Sequence, residues 1–96
     1  MNNRENTTAA PAELTMEHAK TMIATMDDAF ATIERIGAVG ITVSLVYGNC
    51  GDMGLLWSVD VLLQWGESFD KPFVAETFTD AVRVLVVELG KRGIAW

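Results

Sequence analysis

The 96-residue sequence predicts a two-layer α+β domain, with two helices on one face of a two-stranded antiparallel hairpin in the order α-β-β-α. Three observations carry that expectation. Residues 77–93, TFTDAVRVLVVELGKRG, set Phe78, Ala81, Val82, Leu85 and Leu89 at steps of three and four, which is one face of a helix of about 3.6 residues per turn. Residues 41–65 switch to a period of two on either side of a glycine-rich turn, the mark of two half-buried strands. Residues 11–36 keep helical spacing and supply the second cover for the hairpin.

Residues 1–10 are polar or small after the initiator and are expected to form a disordered tail, with 11–96 as the single domain. Pro11 suits a first helical turn, where its missing N–H costs nothing. Leu14, Ala19, Met22, Ile23, Met26, Phe30 and Ile33 then share a stripe, and Arg35 with Gly37 marks its end. An unbroken helix over 11–36 would be roughly 39 Å long, more than a two-stranded hairpin can cover. Its first turns, with Met16, are therefore expected to protrude, fray or meet another chain. Asp27 and Asp28 diverge by about 100° on such a helix and read as solvated charge, not as a paired-carboxylate site.

In the hairpin, Ile41, Val43, Leu45 and Tyr47 point one way and Thr42 and Ser44 the other. On the second strand Leu55, Trp57, Val59, Val61, Leu63 and Trp65 alternate with Ser58, Asp60 and Gln64. A turn in GNCGDMG centred on Gly51 pairs Leu45 with Trp57, Val43 with Val59 and Ile41 with Val61. The link GESFDKPFVAE follows, with Phe69 and Phe73 tucked onto the body; Pro72 limits residues 71–75 to an edge segment at most. The last helix opens on Thr77 and Asp80, a capping pair, and closes on Lys91, Arg92 and a glycine, Gly90 or Gly93. Val82, Val84, Val86 and Val87 favour strands, but they do not alternate as a half-buried strand would. Ile94, Ala95 and Trp96 form an apolar terminus expected to dock.

Thirteen acidic residues against seven basic ones give a net charge of −6, the wrong sign for phosphate backbones and anionic membranes. No apolar run approaches the roughly 20 residues of a membrane span, and the start MNNRENTT lacks the features of a signal peptide, so a cytoplasmic protein is expected. The element order is similar to a trimmed double-stranded-RNA-binding domain. That family begins its second helix with a phosphate-binding lysine cluster, whereas Glu76 and Asp80 stand here and a full third strand is missing, so no RNA-binding residue carries over.

Cys50 in the turn is the one candidate nucleophile, and His18, the only histidine, its one candidate base. The nearest charge in sequence to Cys50 is Asp52, which disfavours a thiolate, so a cysteine-dependent enzyme ranks as the second alternative function. The first alternative is a binder of a small apolar ligand held by Trp57, Trp65, Met22 and Met26 between the helices and the hairpin. No catalytic residue, metal ligand or cofactor is expected, since a lone cysteine and a lone histidine make no cluster. The leading expectation is a small acidic non-enzymatic interaction module, working as a homodimer that contacts another protein. A two-stranded hairpin is marginal alone, so dimerisation is expected to extend the sheet. Val46, Leu56 and Leu62 on the outer sheet face, Val84 and Val87 on the outer face of the last helix, and Met16 are the candidate interface residues.

Overall fold

A computed structural model describes residues 15–63, 68–69 and 72–96. In chain order these form α1 (Met16–Met22), α2 (Met26–Ala38), β1 (Thr42–Asn49), a single 3-10 turn (Gly51–Met53), β2 (Leu55–Leu62), β3 (Phe73–Ala75) and α3 (Phe78–Lys91). The α+β class holds, with three helices and a three-stranded antiparallel sheet among the described residues. The predicted tail, the helix start at 11–14 and Trp65 lie outside them.

The long first helix is broken. Helix α1 ends at Met22 and α2 starts after Thr25, whose Oγ1 accepts from the Asp28 N–H at 3.1 Å. Asp28 Oδ2 accepts in return from the N–H groups of Thr25 and Ala24, each at 3.1 Å. This capping box satisfies N–H groups that a helix start leaves without partners. Asp28 is therefore a solvated charge that also caps α2. The apolar stripe through Met22, Ile23 and Met26 hid the T-x-x-D signal, because its spacing runs on across the break. The carbonyl freed at Ile23 accepts from Arg83 Nε at 2.9 Å, while Arg83 Nη1 donates to Asp80 Oδ1 at 2.7 Å, so α3 holds the break in place.

The sheet corrects the two-stranded α-β-β-α expectation. Strand β3 pairs with β2, placing β2 at the centre of the order β1-β2-β3. Pro72 stands just before β3, where it removes no ladder donor. The hairpin register is shifted by two from the expected one: Tyr47 faces Trp57, Leu45 faces Val59 and Val43 faces Val61. The cause is the tip, where Gly51 and Gly54 adopt positive φ (67° and 83°) around the 3-10 turn and the Cys50 N–H donates to the Gly54 carbonyl at 2.7 Å. A shift of two keeps every side chain on its face, so the predicted apolar face is right although its pairs are not.

Helix α3 buries Ala81, Val82, Leu85, Val86 and Leu89 completely. They meet Val59 and Val61 of β2, Ala29 and Ile36 of α2, and Ala19 and Ile23 at α1. Val87, expected on an outer face, packs partly against this core, and Val84 is half-buried; α3 has neighbours in both layers and so hides a wider arc than a sheet alone would cover. Thr77 Oγ1 accepts from the Asp80 N–H at 3.0 Å, as predicted. At the other end Gly93 (φ 68°) turns the chain so that Ile94 and Trp96 return to the core, with the Arg35 guanidinium 5.0 Å from the Trp96 ring.

Leu85→Ala is expected to destabilise by about 2 to 5 kcal/mol, and Thr25→Ala by about 0.5 to 2 kcal/mol, read as shifts of the urea midpoint. If Leu85→Ala left the midpoint unchanged, the assigned core would be wrong.

The capping box also carries a pH signature. The N–H groups of Ala24 and Thr25, then the Thr25 hydroxyl, hold the Asp28 carboxyl below its ordinary value. A carboxyl whose pKa is lower folded than unfolded contributes stability that is present above the unfolded pKa and lost as pH falls through the folded one. Asp28→Ala should therefore lower stability at pH 7, and its gap to the unmodified chain should narrow below the ordinary carboxylate range, about pH 4. A gap equally wide at pH 7 and pH 2 would contradict that role.

Candidate functional site

The helices cover the middle of the sheet but not the hairpin-tip end of the same face. There Tyr47 and Trp57 are cross-strand partners, and close pairs of this kind let rings touch. Their rings lie 5.4 Å apart at 52°. Trp57 meets Phe78, the first residue of α3, edge-on at 5.4 Å, and Phe78 meets Phe30 of α2 at 4.9 Å. The four rings form one row, Phe30–Phe78–Trp57–Tyr47. Its inner members are half-buried, whereas Phe30 and Tyr47 at its ends are 53% and 52% exposed. Met26 stands one helical turn before Phe30, and Leu55 lies two residues before Trp57 on the same strand face; both side chains are exposed. The row offers aromatic faces and a thioether, with the Tyr47 hydroxyl as its one titratable group. It suits burial of apolar or aromatic groups from another molecule.

Of the residues expected to hold a ligand, Trp57 belongs to this row. Met22 and Met26 are 37% and 54% exposed, on either side of the helix break. Trp65 lies outside the described residues. The space between helices and sheet is filled by Ile36, Val59, Val61 and Leu85.

The opposite sheet face brings together three of the expected interface residues. Val46 and Leu62 are 61% and 47% exposed, and Leu56 is half-buried beside them, among Thr42, Ser44, Ser58 and Asp60. An open hollow of about 280 Å³ is lined by Thr42, Ser44, Asp60, Val61, Leu62 and Ser68. The Asp60 carboxylate there accepts the Val61 N–H at 3.0 Å. Val84 and Val87 lie on α3, in the other layer, and Met16 is exposed on α1, so the six do not form one patch.

Cys50 is half-buried at the hairpin tip, its Sγ 3.7 Å from the Gly48 carbonyl oxygen. His18 is exposed on α1, which packs chiefly on α3, so the described contacts give the thiol no base. Among the described residues no group of three His, Cys, Asp or Glu is placed to hold a metal ion, and no helix is long and apolar enough to cross a membrane. The described cations are largely engaged: Arg83 on Ile23 and Asp80, Arg35 over Trp96, Arg92 over Phe69 and beside Glu88, and Lys91 4.0 Å from Glu88.

The aromatic row was only half legible in the sequence. Alternation places Tyr47 and Trp57 on one face, but no spacing links Phe30 to Phe78 across the chain. Comparison with family models, with characterised proteins and with solved structures finds no match for this chain.

Proposed function

We propose that this chain is a small acidic, non-enzymatic protein-interaction module that works as a homodimer and presents its aromatic row to a partner protein. The observation that carries this reading is the row Phe30–Phe78–Trp57–Tyr47, with exposed rings at both ends and exposed Met26 and Leu55 beside it. Tyr, Trp, Phe and Met are the residues enriched at the centres of protein interfaces, where rigid rings bury much surface for little lost entropy. The acidic charge favours a protein surface over nucleic acid, and among the described residues Arg35, Arg83 and Arg92 are already engaged within the fold.

The homodimer rests on exposed apolar surface rather than on a marginal sheet, because β3 already relieves the hairpin. Val46 and Leu62 face water on the side of the sheet away from the helices, and the first strand is an edge. The cysteine-enzyme reading draws no support from Cys50, which has a backbone carbonyl for its partner.

Sedimentation equilibrium at micromolar concentration is expected to give twice the chain mass of 10.5 kDa. A single species at the chain mass would refute the dimer. For the partner, Phe30→Ser combined with Tyr47→Ser should leave the circular dichroism spectrum unchanged and remove the proteins that the unmodified chain captures from its native extract. Capture of the same set by both forms would remove the row from the proposal.

A further inference from the structure

We infer that two copies join edge to edge through β1, antiparallel about a two-fold axis at Val46, so that their aromatic rows meet across the seam. The inference rests on the homodimer reading and specifies its seam and register.

The backbone shows which groups are free. The Cys50 N–H points to β2, where it donates to the Gly54 carbonyl, and backbone direction alternates along a strand. Thr42, Ser44, Val46 and Gly48 therefore face β2. The N–H and C=O groups of Val43, Leu45, Tyr47 and Asn49 face away from it. Strand β2 gives an independent check, since the Val61 carbonyl accepts from the Phe69 N–H on its far side and the even-numbered residues of β2 must then face β1. Among the described residues β1 pairs with β2 alone, leaving this row of donors and acceptors as a template for another strand.

The two edges of the sheet differ in how they are guarded. Strand β3 is three residues long and follows Pro72, so it offers little to pair with. Strand β1, TVSLVYGN, is eight residues long and contains no proline and no charged side chain. Edges that stay unpaired are commonly blunted by those very residues. The seam is also neutral in a chain of net charge −6, so pairing two copies there brings no like charges face to face.

Symmetry then selects the register. A two-fold axis normal to the sheet pairs odd residues with odd ones and even with even, keeping both helical layers on one side. Centring it at Val46 sets Val43 against Asn49 of the partner subunit and Leu45 against Tyr47 of the partner subunit. All four free-facing residues of each copy are then used. A centre at Leu45 leaves Asn49 without a partner within the strand, and a centre at Tyr47 leaves out Val43. In the chosen register Val46, 61% exposed in the single chain, meets its own copy at a close non-hydrogen-bonded position, about 4.5 Å between Cα atoms. Tyr47 becomes the diagonal neighbour of Tyr47 of the partner subunit, within reach of an aromatic ring. The two rows thus become one surface running from Phe30 to its symmetry mate.

Amide exchange on the unmodified chain tests the seam. In the dimer the N–H groups of Val43, Leu45 and Tyr47 should be protected as strongly as those of Ser44 and Val46, and dilution to monomer should release the first set alone. Val46→Cys in a Cys50→Ser background tests the register. It should form a disulfide-linked pair at least about tenfold faster than Ser44→Cys in the same background, whose two copies lie four positions out of register and beyond the roughly 7 Å a disulfide spans. A protein that sediments as a dimer while Val43, Leu45 and Tyr47 exchange freely would overturn the β1 seam and leave the homodimer standing. Sedimentation at the chain mass would overturn both. Protected amides with faster cross-linking of Ser44→Cys would overturn the register.

Discussion

The structure depends on covering α3. Ala81, Val82, Leu85, Val86 and Leu89 are all fully buried, and at 100° per residue they span an arc of about 140°. A small sheet presents one flat face and reaches only part of such an arc. The rest must be covered from the side, and α1 and α2 supply that cover. A straight rod over both would overshoot the helix it needs to embrace. The chain instead breaks at residues 23–25, and Thr25 with Asp28 satisfies the N–H groups that the break exposes. Arg83, on α3 itself, takes up the orphaned Ile23 carbonyl. The helix that needs cover thus holds its cover in place.

Concentrating the helices over the middle of the sheet leaves its hairpin-tip end and its far face to water. At the hairpin tip the inner strand face continues past the helices, and its side chains keep the apolar identity that alternation gives them. Tyr47, Trp57 and Leu55 lie there, where Phe30 and Phe78 reach them from two helices. The same geometry leaves β1 as an uncharged edge. Both are exposed surfaces of the described chain, and the interaction proposed above rests on them. Among the described residues, Arg83 is engaged by the Ile23 carbonyl, Arg35 by the Trp96 ring and Arg92 by the Phe69 ring.

What the sequence by itself determined was whatever local periodicity and charge decide. Alternation assigned each residue of β1 and β2 to its face, helical spacing found α3, and the Thr77–Asp80 pair marked its cap. These features depend on neighbours within a turn or a pleat. Tertiary structure decided the rest. The register moved by two because the tip residues Gly51 to Gly54 form a 3-10 turn, and periodicity is blind to a shift that keeps the faces. The break at Thr25 was written as a capping box but competed with an apolar stripe that ran straight through it. Strand β3 is defined by the pairing of Phe73 and Ala75 with Val59 and Trp57, a choice no three-residue segment makes alone. The aromatic row joins residues 30, 47, 57 and 78, whose separations in sequence exceed any local period. Only the packing of two helices against one hairpin brings those rings within contact.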